Sequence, residues 1–363
     1  MKRRDFVASA AALAAFPKLS FAQQTEFKPA AAQEWRHFEV VTRIDIAKPS
    51  GVSRAWIPVP AVDESWQKTA DNVWSGNAAN MRVAHDPKYG AAMLYAEWPA
   101  SQQAPSVELI SRFATRNRVV DLAKPGTVAP LAAADRAFYT APTELMPVDG
   151  IVAQTAREIT QGKRSDIDKA KAIYEWIVDN TERNPKTRGC GVGDIKAMLE
   201  AGNLSGKCAD LNALYVGLAR SVGLPARDVY GVRVAKSEFG YRSLGAGTPN
   251  ITRAQHCRAE VWLTGFGWVP VDPADVRKVV LEERPAPTTL ADPVVPSVRR
   301  ALFGAWEMNW LAYNRAHDVS LPGSIGPKVG FLMYPQAETG GARLDSLDPD
   351  SFKYSMTAKE LKA

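Results

Sequence analysis

Gly206–Arg227, GKCADLNALYVGLARSVGLPAR, is the stretch on which the reading of the whole chain turns. Ser205-Gly206-Lys207 makes a small-residue turn, and Cys208 follows it directly. From there the apolar residues fall at Leu211, Leu214, Tyr215, Leu218 and Val222, the period of a helix with one face in a core. Gly223 and then Pro225 end it, in the order expected at a helix C-terminus. Cys208 therefore stands in the first turn of a buried helix. Unpaired N–H groups and the helix dipole favour the thiolate there, the form that acts as nucleophile. A buried cysteine is by itself more often a small apolar residue than a nucleophile, so the case depends on what lies downstream.

His256 opens the run His256-Cys257-Arg258-Ala259-Glu260-Val261-Trp262-Leu263. Thr264-Gly265-Phe266-Gly267 follows as a turn, and then Trp268-Val269-Pro270-Val271-Asp272-Pro273. Two β-favouring runs around a glycine-rich turn predict an antiparallel hairpin. With an odd number of loop residues, His256 and Asp272 share a face and are directly or diagonally opposed. A thiol at a helix start, a histidine and a carboxylate to orient it are the parts of a cysteine nucleophile with its general base.

Cys208 on its helix, Pro225-Ala226-Arg227, His256 with Glu260-Val261-Trp262, and Trp268 to Pro273 together resemble the transglutaminase-like superfamily. The fold of that superfamily is related to the papain-like cysteine proteases. The resemblance covers residues 151–275 and consists of four linked motifs in the family's order. It implies Cys208 as nucleophile, His256 as base and Asp272 as its orienter. It also implies an α+β fold, with the nucleophile helix packed on an antiparallel sheet. One oxyanion donor would be the Cys208 N–H; no motif marks the tryptophan that classical transglutaminases use as the second, and Asn203 is the only candidate. Asp210 and Asn212 either line the site or serve the helix surface. Glu260 reads as a structural ion-pair partner.

The chain has 363 residues, enough for two domains of ordinary size. Its net charge is +6, but Lys2, Arg3, Arg4 and Lys18 against Asp5 contribute +3 of that. The remainder is close to neutral, without a dense basic patch, so no nucleic-acid partner is expected. Arg3-Arg4-Asp5-Phe6-Val7 matches the twin-arginine export pattern. The apolar stretch from Val7 to Phe16 is too short to span a bilayer, and Ser20-Phe21-Ala22 offers a cleavage site after Ala22. Residues 1–22 are thus expected to be a signal peptide, and the mature chain periplasmic or secreted, with no membrane span. The three cysteines, Cys190, Cys208 and Cys257, show no metal-ligand spacing, and there are four histidines. No metal or cofactor is expected. With Cys208 as nucleophile, Cys190 and Cys257 form an even pair in an oxidising compartment, either bridged by a disulfide that braces the loop against the His256 strand or left as two buried thiols.

Before the helical region, His37 to Ile46, Ser53 to Val59, Leu94 to Trp98 and Val107 to Thr115 read as short strands separated by turns. They predict a β-sandwich-like domain at 34–120, with Trp56 and Trp74 in its core and His37 and His85 on its surface. Residues 23–33 read as disordered. A connection at 121–150 leads into a catalytic domain at 151–280. Within it, Lys186 to Asp194 is glycine-rich but lacks either phosphate-loop pattern, so it reads as a wall of the site. Ser237 to Thr252 reads as a polar loop over the site. Asp275 to Pro296 reads as a proline-rich wrap. Leu302, Phe303, Trp306, Trp310 and Tyr313 suggest an amphipathic helix, and Phe331 to Tyr334 a strand. Residues 281–363 as a whole are taken as an extension packed on the catalytic domain. His317-Asp318 reads as an isolated pair.

The chemistry these parts predict is acyl transfer from a peptide, protein or cell-wall amide. Hydrolysis is favoured over cross-linking, because the polar loop has no apolar wall to keep water from a thioester, and calcium-binding acidic segments are absent. A protein-cross-linking transglutaminase and a non-catalytic peptide- or partner-binding module remain the alternatives.

Overall fold

The sheet beneath the Cys208 helix takes its strands from widely separated parts of the chain. Its order is Gly267–Val271, Gln255–Leu263, Ala226–Arg233 and Trp310–Asn314, antiparallel throughout. This computed structural model describes residues 25–32, 34–283, 289–348 and 352–362; the expected signal at 1–22 lies outside them. The Cys208 helix, Cys208–Ser221, is buried along nearly its whole length, with Leu211, Leu214, Tyr215 and Leu218 fully inside. Each such leucine contributes about 1.5–3 kcal/mol on burial, more than the ~1 kcal/mol of a good N-cap. The apolar face therefore sets where this helix lies. Helices Gly150–Ile159 and Asp166–Asn180 cover it, inserting Val152, Ala156, Ile173, Tyr174 and Ile177. Ser165 caps the second of these by accepting from Asp168 N.

The N-terminal part is a two-sheet sandwich. One sheet runs Lys353–Leu361, Arg36–Asp45, Ser106–Thr115, Gln67–Gly76. The other runs Ala342–Arg343, Gln336–Thr339, Ser53–Pro58, Ala92–Trp98, Asn80–His85. Ile44, Ile57, Leu94, Trp98, Leu109, Ala337 and Phe352 fill the space between them. Trp56 is fully buried, Trp74 is half-buried against this core, and His37 and His85 are exposed. Phe38, Val40, Phe113 and Met356 of the first sheet pack on Val232, Leu311 and Tyr313 in and beside the sheet beneath the Cys208 helix, joining the two units. The molecule is therefore α+β, a nucleophile helix on an antiparallel sheet preceded by a β-sandwich.

Several expectations are corrected here. The C-terminal extension does not pack on the catalytic domain alone: Gln336–Thr339 pairs with Ser53–Pro58, and Lys353–Leu361 pairs with Arg36–Asp45. Leu302 to Tyr313 is not a helix. Ala305–Trp306 and Trp310–Asn314 are strands whose residues are all buried, so no polar face betrays the two-residue period. The wrap expected from Asp275 to Pro296 begins as a helix, Pro273–Glu282, capped by Asp272 with proline at its first position. A second short helix, Val295–Ala301, follows. Phe331 to Tyr334 is a strand only at its start, in Val329–Phe331. The segment expected to be disordered is held at Phe27, whose ring meets Phe239 and Tyr241 edge-on.

Candidate active site

Cys208 is the first residue of its helix, and the loop before that helix is built around Asp210, one turn in. Asp210 Oδ2 accepts from Lys207 N at 2.9 Å, and Oδ1 accepts from Val192 N and Gly193 N, both at 3.0 Å. The glycine-rich stretch thus wraps a carboxylate of the protein itself, which explains its composition without a phosphate. Gly191 has φ +94°, and a Cβ there would meet Asp210 Oδ2 at 1.9 Å. The same loop places Cys190 against the helix: its carbonyl accepts from Ala209 N at 2.9 Å, and its Sγ donates to Gln255 O at 3.3 Å.

The hairpin delivers the imidazole. Its turn holds three residues between Leu263 and Gly267, and Ala259 faces Val271. That register sets Asp272 across from Arg258 and diagonal to His256. His256 Nε2 meets Asp272 Oδ2 at 2.7 Å, which leaves Nδ1 for the thiol. Cys208, Cys190 and Cys257 are buried in one core cluster, and the Cys190 carbonyl reaches the residue after Cys208. Trp310 Nε1 donates to His256 O at 2.9 Å and fixes the strand at this point. Asp272 is held in turn by Asp275 N at 3.1 Å and by Asn212 Nδ2 at 3.3 Å, the latter also donating to Cys257 O at 2.8 Å. Cys208, His256 and Asp272 are all buried.

A second carboxylate stands behind the first. Asp275 Oδ2 lies 3.4 Å from His256 Nε2, and Asp275 is gripped by Arg233 Nη2 at 2.5 and 2.8 Å. Arg258 Nε lies 3.6 Å from Asp272 Oδ2 and stacks over Trp310. The electrostatics follow from this arrangement. Burial pulls the His256 pKa down, but Asp275 and Asp272 outweigh it against Arg233 and bring it to about 9. The Cys208 thiol is held well below its usual range, first by the hydrogen bonds of Cys190 and Cys257 and then by His256, against the effect of burial. Both shifts favour a thiolate beside an imidazolium. Burial and the neighbouring Asp275 raise Asp272, whereas Asp275 is lowered because Arg233 and His256 outweigh its own burial. His256, Asp272 and Asp275 offer three ligand atoms within 4.8 Å of one another, the spacing of a metal site. Arg233 and Arg258 already neutralise those carboxylates, so the donor set is spent on the imidazole.

Asp275, Arg233 and Arg258 escaped the sequence reading. The signal for Asp275 was present in Asp272-Pro273-Ala274-Asp275, an N-cap, a proline and an acid at the third position of a helix. Asn203 is exposed, and its Oδ1 accepts from Ser205 N and Oγ. Cys190 and Cys257 are not bridged to each other; all three thiols are free, and the loop of Cys190 is tied instead to Ala209 in the Cys208 helix. Glu260 is the centre of a buried ion cluster with Arg118, Arg227 and Arg315. His317 is buried, with Nδ1 3.2 Å from Tyr230 Oη and Nε2 3.5 Å from Asp228, and takes no part in the thiol contact. The stretch expected to cover the site is anchored by buried Tyr241, Leu244 and Ile251. With Lys236, Arg242 and Glu282 it lines an open cleft of about 610 Å³. Cys208 does not line that cleft. Arg233 ties the two regions together by bonding both Leu244 O and Asp275.

The family model "Transglutaminase-like superfamily" matches residues 153–273. An uncharacterized protein of Haemophilus influenzae is 36% identical over 341 residues, 89% of this chain and 91% of its own length. The crystal structure of a candidate cysteine protease from Cytophaga hutchinsonii is similar over 91% of this chain and 92% of its own, with a TM-score of 0.57 and 14% identity. At that identity the likeness is one of fold. The periplasmic domain of TgpA from Pseudomonas aeruginosa matches 64% of this chain and 89% of its own at 14% identity, with a TM-score of 0.35. Among the described residues no helix is long and apolar enough to cross a membrane.

Proposed function

The chain belongs to the transglutaminase-like superfamily, and from that premise we propose that it is an exported cysteine hydrolase of peptide or amide bonds, acting through Cys208, His256 and Asp272. The observation that carries this reading is the buried thiol–imidazole–carboxylate chain, with the Nε2 to Asp272 contact at 2.7 Å. The Cys208 thiolate attacks the amide carbon. The oxyanion that develops faces the Cys208 N–H, which opens the helix and has no intrahelical acceptor. His256, as imidazolium, gives its Nδ1 proton to the leaving amine. Neutral His256 then takes a proton from water, whose oxygen attacks the thioester, and the acid departs as the thiolate is restored. Asp272 holds the tautomer and supports the ring charge.

Both hydrolysis and cross-linking pass through the same thioester, so the acceptor decides. Bulk water is about 55 M, and an amine competes only if strongly positioned. The stretch Ser237 to Thr252, polar and glycine-rich, carries no pattern of a dry lysine channel, which favours water as the acceptor. An amide substrate supplied with excess primary amine tests this. Free acid should be the main product, independent of calcium, and Cys208→Ala should make none. Predominant amine incorporation would replace this reading with a transglutaminase. Turnover by Cys208→Ala would remove the nucleophile, and no thioester with any substrate would leave a binding module. Export rests on Arg3 and Arg4: changing both to lysine should hold precursor in the cytoplasm, and an undiminished periplasmic yield would refute the twin-arginine assignment.

A further inference from the structure

All three cysteines of the chain meet at one point, although the proposed chemistry uses one of them. Cys190, Cys208 and Cys257 are all buried in one core cluster, and Cys190 is tied to the residue that follows Cys208. Cys190 is bound on both sides of the site, through its carbonyl to Ala209 N in the nucleophile helix and through its thiol to Gln255 O, next to His256. A structural thiol needs none of this. Placed in any other part of the core it would fill the same volume without facing a reactive sulfur.

We infer that Cys190 is a resolving thiol: peroxide oxidation of Cys208 ends in a reversible Cys190–Cys208 disulfide that switches the enzyme off and protects its nucleophile. The inference rests on Cys208 being the reactive thiolate of the proposed function. In the first step the Cys208 thiolate attacks one oxygen of a hydroperoxide. The O–O bond breaks, Cys208 becomes a sulfenic acid, and hydroxide or alkoxide leaves with the electron pair. In the second step the Cys190 sulfur gives up its proton and attacks the Cys208 sulfur. The S–O bond breaks and water departs, so one peroxide is reduced for two thiols oxidised. Without a resolving thiol, a second peroxide would carry the sulfenic acid on to sulfinic acid, which thiols do not reduce.

Cys190 is the partner rather than Cys257 for a geometric reason. Bonded sulfurs stand at about 2.05 Å, so one side chain must move in to form the bond. Cys257 is in mid-strand, paired with Tyr230, fully buried, its carbonyl held by Asn212. Cys190 sits in a loop outside the sheets, where rotation of its side chain breaks the bond to Gln255 O and leaves the strand ladder intact.

The test uses the reduced mature chain, treated with hydrogen peroxide, alkylated after denaturation and mapped without reduction by mass spectrometry. A Cys190–Cys208 linked peptide should accumulate, the free thiols should fall from three to one, and dithiothreitol should restore three. Cys190→Ser should instead accumulate Cys208 sulfinic acid that dithiothreitol does not reverse. Cys208 oxidised to sulfinic acid in the wild type with Cys190 still alkylated overturns the resolving role while leaving the nucleophile intact. A Cys208–Cys257 link overturns the choice of partner. Cys208 untouched by peroxide overturns the inference together with the thiolate reading on which it rests. Since wild-type mapping alone decides these outcomes, a poorly folding Cys190→Ser protein does not rescue the idea.

Discussion

His256 carries its charge far above the usual histidine range, at about 9, because Asp275 and Asp272 outweigh its burial. An unperturbed histidine titrates near ~6.5. The folded value is the raised one, so the stability that this group contributes is fully present below about pH 6.5 and is lost as pH rises through about 9. The same group must hold a proton for the leaving amine. Hydrolysis should therefore fall along an alkaline limb near pH 9, while the acid limb is set by the lowered Cys208 thiol. Asp275 is the strongest raising influence on His256, so Asp275→Asn should draw the alkaline limb toward neutral pH. An unmoved limb in a variant with a wild-type melting profile would show that Asp275 does not support the charge. Asp272→Asn should lower kcat by about 10²–10⁴, the loss that follows when the tautomer is no longer held.

The element most exposed to a single change is the loop from Arg188 to Asp194. It offers two backbone N–H groups to Asp210 on one side and Cys190 to the site on the other. Gly191→Ala combines a left-handed backbone with a Cβ 1.9 Å from the Asp210 carboxylate. Backbone strain of about 1–3 kcal/mol adds to the loss of charged hydrogen bonds at about 1.5–3 kcal/mol each. The melting temperature should drop clearly, and Cys190 should alkylate faster in the native state. Gly202→Ala is the control: φ is +62° there, but a Cβ meets nothing within 4 Å. Equal losses in the two variants would mean that left-handed backbone alone, and not the Asp210 cradle, accounts for the effect. The loop's composition was legible as a wall of the site; its function of wrapping Asp210 was not, because an acid three residues after a turn looks the same whether it binds solvent or a loop.

At the scale of the molecule, the chain's last strands complete both sheets of its first domain. Ending the chain after Pro335 removes Gln336–Thr339 and Lys353–Leu361 and opens edges along Ser53–Pro58 and Arg36–Asp45. The truncated protein should aggregate or melt far below the full chain; a soluble product with a wild-type melt would show that the tail is dispensable. Glu260 ties the units together by charge. Burial alone would raise its pKa, but Arg118, Arg227 and Arg315 hold it well below the carboxylate range. These arginines come from ahead of the core, from within it and from the C-terminal region.

What the sequence determined by itself was the local chemistry. The helix of Cys208 announced itself by its apolar spacing and by Gly223 and Pro225 at its end, and the hairpin by its turn glycines; that His256 and Asp272 share a face depended on an odd turn, and the three-residue turn of the structure makes them diagonal. The sandwich was visible in strands that alternate because one face meets water. Tertiary structure alone decided the rest. Trp310–Asn314 is buried on both faces and so shows no period, which let a strand pass for a helix. Arg233 and Asp275 are 42 residues apart and meet only once their strand and helix are packed. The strands at 336–361 choose partners some 300 residues away, a choice that depends on which edges the folded sheets leave open rather than on any pattern within the strands themselves.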